Sequence, residues 1–287
     1  MKGKGGGRVS DQGLKTVTYK TPGTGLRIFV CLVLTAGIAL GAGHLYRRFG
    51  VKLPFTLAPE ATAAPRETSA ARRTQEVTFS AHTLYALQLG AFTQQSAAQQ
   101  LAQEYAARGA AGYVAQDGDA YRVLAAGYPT RAEAQSVQTR LSAQGVSSYI
   151  HPCEQAGITL RAGGTEAQVA AFCEAAAYLD GLGAKLYALS CALDAREMET
   201  DAARAALLSE GATCAALRDR LLRDFGGSLP ASLSPLAELL SQIASECDLL
   251  PADSGAARTG AAVKRCQMIV FFGMREFVEG VKEALMK

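Results

Sequence analysis

The feature that most constrains the fold is an internal duplication within residues 83–152. A shift of thirty-six positions aligns similar residues of the two halves, as with Leu87 and Val123. Each half begins with alternating apolar and polar residues, which is typical of a strand, and continues with apolar residues spaced as on one face of a helix. A second short strand follows each helix, and Gly118 within QDGD marks a turn between the halves. The duplication therefore predicts a module of order βαββαβ.

Alternation along the first strand distributes its side chains between two faces of the predicted sheet. One face takes Tyr85, Leu87 and Leu89, and the opposite face takes Ala86, Gln88 and Gly90. Both helices carry an apolar stripe, with Leu101 and Val137 at equivalent positions, so we expect both to cover the first face of a four-stranded antiparallel sheet. The second face is expected to be open. Gln88 and Arg122 on central strands and Tyr149 on a flanking strand would be exposed there, and polar groups beside an aromatic ring favour a ligand site.

The strings YALQLGAF, AYRV and TRAEAQSVQTRLSAQG, together with the duplication, resemble the SPOR domain family over about a quarter of the chain. The resemblance implies a ferredoxin-like or RNP-like fold. It also implies binding, through the exposed sheet face and adjoining loops, to peptidoglycan glycan strands stripped of stem peptides at division or sporulation septa.

The expected glycan-binding residues are Gln88, Arg122, Tyr149 and Ala91, with Tyr149 placed by strand alternation and the other three by the resemblance. Gln88 matches the family's first-strand glutamine and Arg122 its third-strand arginine. Ala91 stands where the family commonly has serine, and AAGY at 125–128 replaces the usual Val-Gly-Pro-Phe, so lost hydroxyl contacts would weaken binding. In the alternative interpretation Gln88 only binds water, and Arg122 only pairs with Asp117 or Asp119.

The N-terminal part of the sequence predicts a membrane anchor. Residues 28–46 are nineteen consecutive positions without Lys, Arg, Asp or Glu, enough for a helix to cross about 30 Å of hydrocarbon. A cleaved signal peptide is the alternative, because the second half is rich in small residues. Residues 1–27 hold six Lys/Arg and one Asp, so we expect the N-terminus to lie in the cytoplasm. The chain would then be a single-pass protein of the cell membrane with its later domains outside the cytoplasm. Residues 47–82 contain three prolines and no apolar period, which predicts a flexible linker.

The C-terminal part of the sequence is helical. After PCEQAGITLRAGG, interpreted as a linker, Thr165 and Gln168 form a capping-box pattern at the start of a helix. Further helices are predicted at 196–225, at 234–250 and from 256 onward, which gives an all-α bundle at 165–287. The last helix contains MIVFFGMREFVEGV, apolar enough for a central packing helix, a partner surface or a membrane-surface helix. A division or sporulation protein is a candidate partner for this region.

Catalytic and metal-binding patterns are missing from the sequence. The three histidines lie at 44, 82 and 151 without a nucleophile or carboxylate motif, and no Cys-x-x-Cys occurs. We therefore expect no enzyme activity, no metal and no cofactor.

The six cysteines after Cys31 fit either disulfides or small core residues, and export would favour pairing of at least two. Residues 83–152 hold four positive and four negative charges, which does not favour binding to nucleic acid. The RNA-binding RRM domain has the same βαββαβ order, but it stacks bases on aromatic residues of its central strands, and these are lacking here. No nucleic-acid binding is therefore expected.

Taken together, the sequence predicts an α+β protein that is anchored in the membrane and binds peptidoglycan. One alternative is a cell-wall hydrolase, or a hydrolase regulator, that the SPOR module targets while the helical region acts. Another is a structural interaction protein whose module has lost its affinity for glycan.

Overall fold

The structure is a computed structural model that describes residues 72–286. The predicted basic tail at 1–27, the predicted span at 28–46 and residues 47–71 of the predicted linker lie outside the described residues. Between residues 72 and 286, no helix combines the length and the apolar character needed to cross a bilayer.

Six strands and six helices make up the described part of the chain. In chain order they are β1 (Arg72–Phe79), β2 (His82–Phe92), α1 (Gln95–Ala106), β3 (Tyr113–Asp117), β4 (Ala120–Tyr128), α2 (Arg131–Ala143), β5 (Tyr149–Gln155), β6 (Ile158–Thr165), α3 (Glu166–Asp194), α4 (Thr200–Asp224), α5 (Ser234–Asp248) and α6 (Ala256–Leu285). The predicted βαββαβ order is confirmed from β2 to β5. These strands form one antiparallel sheet of order β3-β4-β2-β5, so the strands of Gln88 and Arg122 are central, as expected.

Helices α1 and α2 cover one face of this sheet. Leu87 is buried there against Ala134, and Leu89 packs with both helices. Gly118 takes a positive φ of 56° in the turn between β3 and β4, where glycine avoids the steric cost of a side chain. The predicted orientation of Tyr85, Leu87 and Leu89 is therefore confirmed.

Gly90 does not follow the predicted alternation. It was expected on the face opposite the helices, but a Cβ at this position would lie 3.1 Å from Cδ2 of Leu101 on α1. The cause is a register shift between Gln88 and Gly90, which leaves Leu89 without a partner on β4 and turns the following residue over.

The linker prediction is wrong for residues 72–82, and so is that for the segment after β5. β1 and β6 pair antiparallel along their full lengths, from Arg72 opposite Thr165 to Phe79 opposite Ile158. Val77 and Phe79 point into the core of the helical region, where the Phe79 ring lies 6.4 Å from that of Phe172 and 5.3 Å from that of Phe277. Two short segments that lack a strong pattern alone thus form a ribbon, stabilised because its apolar side packs on helices.

The second face of the four-stranded sheet is covered over much of its area, so the prediction of an open face is wrong. Met268, Phe271 and Phe272 of α6 are buried against it, in one cluster with Leu84, Ala86, Ala111, Ala115, Leu124 and Cys153. The Phe272 ring stacks on the Tyr113 ring at 5.2 Å, with an interplanar angle of 11°. α6 is apolar on nearly all sides between residues 266 and 274, and it therefore packs on the sheet and on the other helices at once.

The helical region follows the sequence prediction closely. Helices α3 to α6 share one core, and α3 begins at the predicted capping box, with the side chains of Thr165 and Gln168 each accepting a hydrogen bond from the other's backbone N–H. The central packing role proposed for the last helix is confirmed.

The structure does not bear out the expectation that at least two cysteines pair, because all six described cysteines are free thiols. Two of them, Cys247 and Cys266, have their sulfur atoms 3.8 Å apart, well beyond the roughly 2.05 Å of a disulfide. Both side chains are fully buried and act as small core residues between α5 and α6.

The packing of β1 gives a direct test of its structural role. Phe79→Ala removes a ring that is 1 % exposed and should lower the free energy of unfolding by about 3–5 kcal/mol, measured by denaturant titration of residues 72–286. Gln75→Ala, at an exposed position nearer the start of the same strand, should change it by no more than about 0.5 kcal/mol. Equal stability of the two variants would mean that β1 is a linker after all.

Candidate ligand-binding site

The four residues expected to bind glycan lie together at the end of the sheet that contains Gln88 and Arg122. In the strand register, Gln88 is opposite Tyr149 on one side, and Ala91 is opposite Arg122. Directly opposed residues on paired strands project from the same face. All four side chains therefore project from the face that α6 packs on, at a part of it where Tyr149 remains 62 % exposed.

Two irregularities in the β2–β4 pairing create this arrangement. The register shifts once between Leu87 and Gln88 and again between Gln88 and Gly90. In a regular strand Gln88 and Ala91 would lie on opposite faces, because their separation is odd. The second shift brings both onto one face, as bulges beside functional sites often do.

A chain of hydrogen bonds joins the polar side chains. Arg122 donates from Nε to Oδ2 of Asp117 at 2.6 Å and from Nη1 to Oε1 of Gln88 at 2.9 Å. The ion pair anticipated for Arg122 is therefore present with Asp117. The bond from Arg122 is the main reason that the pKa of the Asp117 carboxyl lies below its ordinary value. The two bonds hold the arginine in one orientation beside Gln88.

His151 also belongs to this cluster and was not among the predicted site residues. It lies on β5 two residues after Tyr149, and its Nε2 is 4.0 Å from Oδ2 of Asp117. Burial, followed by the charge of Arg122, lowers the pKa of the imidazole, which favours the neutral ring. The sequence contained a signal for this position, because alternation along β5 places Tyr149, His151 and Cys153 on one face.

Arg275 on α6 was also missed. Its guanidinium Cζ lies 5.5 Å from the centre of the Phe272 ring. Phe272 comes one helical turn before Arg275 and is on the side of α6 that covers the sheet. No pattern in the sequence identifies this residue, because its position depends on how α6 packs against a sheet more than a hundred residues away in the chain.

The cluster is suited to bind oxygen-rich neutral molecules. Arg122 and Gln88 offer several N–H donors, while Gln88 and Asp117 offer amide and carboxylate acceptors. The exposed Tyr149 ring offers an apolar surface beside them. Within residues 72–286 no group of three or more His, Cys, Asp or Glu side chains is placed to hold a metal ion.

A separate apolar cavity of about 240 Å³ lies between the sheet and the helices. Leu84, Leu179, Val270 and Phe271 contribute to its wall, and none of the four predicted site residues lines it. Small side chains on α3, at Gly183 and Ala184, leave this space open. The cavity is therefore a feature of the packing between the two regions and not part of the cluster around Arg122.

The Asp117–Arg122 bond predicts a measurable change in protonation. Arg122→Gln should raise the pKa of Asp117, because the hydrogen bond from the guanidinium is the largest cause that lowers it. An NMR titration of the Asp117 carboxyl carbon measures this directly. Arg108→Gln is the matched control, since Arg108 pairs with Glu104 on α1, and it should leave Asp117 unchanged. An Asp117 pKa that is the same in the parent and in Arg122→Gln would contradict the geometry.

Comparison with known proteins identifies the module. The family model of the SPOR domain matches residues 81–151. This range covers most of the segment from β2 to β5 and agrees with the module at 83–152 that the sequence predicted. No curated protein and no solved structure matched the chain. SPOR domains bind peptidoglycan, so the match supports a role in binding the cell wall. The chain therefore contains a SPOR domain, formed by residues 81–151.

Proposed function

We propose that this protein binds glycan strands that have lost their stem peptides, at the end of the sheet that carries Gln88, Ala91, Arg122 and Tyr149. The observation that carries the proposal is the hydrogen-bonded Gln88–Arg122 pair, with Tyr149 directly opposite Gln88 in the register. Both polar side chains match the glutamine and arginine that the SPOR resemblance assigns to the glycan site. The protein acts by binding and localisation at division or sporulation septa, and not as an enzyme.

The polar groups at the free end of the sheet suit an oxygen-rich ligand. A bare strand presents hydroxyl and acetamido groups that the Arg122 and Gln88 donors can bind, while the sugar ring contacts Tyr149. The preference for strands without stem peptides rests on the SPOR resemblance.

The proposal includes a membrane anchor at residues 28–46 with a cytoplasmic N-terminus. It rests on the uncharged length of that segment and on the basic residues before it. A cysteine introduced between residues 50 and 71 should react with a membrane-impermeant reagent in intact, wall-permeabilised cells. Protection of that cysteine until the membrane is broken would contradict this topology.

The binding site is tested by two substitutions. Gln88→Ala and Arg122→Ala should each weaken pelleting with amidase-treated sacculi about tenfold, the effect of losing about 1.4 kcal/mol of interaction. Each should change the free energy of unfolding by no more than about 1.5 kcal/mol, because both side chains lie at the partly exposed end of the sheet. Parallel melting curves separate lost binding from lost folding.

Two further variants make this test specific. Gln100→Ala on the exposed side of α1 should bind like the parent. Ala91→Ser restores the hydroxyl common in the family, beside Arg122 in the register, and should strengthen binding severalfold. If the parent pelleted equally with intact and amidase-treated sacculi, or if Gln88→Ala and Arg122→Ala bound like Gln100→Ala, the glycan site would lie elsewhere.

A further inference from the structure

We propose that Arg275, on the last helix and outside the SPOR domain, is a further glycan-binding residue, so that the binding surface is shared between the module and the helical region. The inference rests on the proposed function and adds to it. In this inference, the helical region binds the part of the glycan strand that extends beyond Gln88 and Arg122.

Arg275 is held in place by a stack of three side chains. The ring of Tyr113 on β3 lies parallel to that of Phe272, and the guanidinium of Arg275 lies over Phe272 on the next turn of α6. Tyr113 is partly buried and packs against the cluster between sheet and helix, and its burial is the main cause that raises the pKa of its hydroxyl to about 12. An arginine fixed against an aromatic face loses little side-chain entropy when it binds a ligand.

The charge of Arg275 acts on the polar cluster of the sheet. Burial is the main cause that raises the pKa of Cys153 to about 11, and Arg275 opposes that rise. Arg275 also contributes to the lowered pKa of His151, after burial and Arg122. Cys153 and His151 both lie on β5, on the face that carries the cluster. Phe272 packs on this face, so the guanidinium that lies over its ring is also on the side of α6 that meets the sheet.

The hydrogen-bonding capacity of Arg275 is only partly used within the chain. Its Nε is buried and makes no aligned hydrogen bond, although Oε1 of Glu279 lies 3.4 Å away. The Arg275 side chain is 32 % exposed and that of Glu279 57 % exposed, so solvent weakens this pair. A sugar oxygen that approaches from the sheet can accept from the Nη groups of Arg275, and it then competes with Glu279 for the orientation of the guanidinium.

This competition provides a test that a purely structural role for Arg275 would not pass. Full-length protein is measured with amidase-treated sacculi. Arg275→Gln should weaken binding about tenfold, and Arg275→Lys, which keeps the charge without the planar fork, should restore only part of it. Glu279→Gln removes the competing carboxylate and should strengthen binding severalfold. Arg258→Gln, the same change near the exposed start of α6, should bind like the parent.

The outcomes separate this inference from the function on which it rests. If the parent fails to pellet with stripped glycan, the proposed function itself is wrong. If the parent and Gln88→Ala differ as expected but Arg275→Gln binds like Arg258→Gln, only the role of Arg275 is wrong. The same holds if Arg275→Gln and Glu279→Gln weaken binding equally and both lower the melting temperature, because that pattern describes a salt bridge that stabilises the helix.

Discussion

The packing of α6 on the SPOR sheet is the interaction on which the rest of the structure depends. Met268, Phe271 and Phe272 remove a large apolar area of the sheet from water, and each such side chain contributes about 1.5–3 kcal/mol when fully buried. At the other end of this contact, Arg265 and Gln267 donate to the backbone carbonyls of Ala111 and Gly127. These contacts fix the helix across the sheet and decide which part of the sheet face can meet a ligand.

The free end of the sheet and the covered end differ in chemistry as well as in access. The covered end is apolar, with Leu84, Ala86 and Leu124 under the helix. The free end carries the bonded chain from Asp117 through Arg122 to Gln88, and polar groups of this kind would be costly to bury under an apolar helix. The boundary of α6 on the sheet therefore follows the boundary between apolar and polar side chains.

The fold of the SPOR module could be predicted from the sequence because its periodicities are local. Alternation placed Gln88 and Tyr149 on one face, and the apolar stripes placed both helices on the other. Two kinds of feature could not be predicted. The first is the pair of bulges beside Gln88, which move Gly90 to the other face of the sheet. They depend on how β2 pairs with β4, and the sequence of neither strand alone reveals them.

The second kind involves contacts between distant segments. β1 and β6 each look like a linker until they pair with each other and pack Phe79 on the helices. The apolar sequence around Phe272 indicated a packing helix but not what it packs against, so neither the covered sheet face nor the position of Arg275 could be derived. Such contacts depend on tertiary complementarity, which short-range patterns do not encode.

In the proposed function, glycan binds at the free end of the sheet while α6 stays in place. This can be tested by NMR titration of residues 72–286 with a stem-free glycan fragment. We expect the amide signals of Gln88, Ala91 and Tyr149 to shift, while those of Ala86 and Met268 under the contact do not. Shifts that instead spread through Ala86 and Met268, with faster amide exchange along α6, would show that the helix leaves the sheet and that the proposed binding surface is wrong.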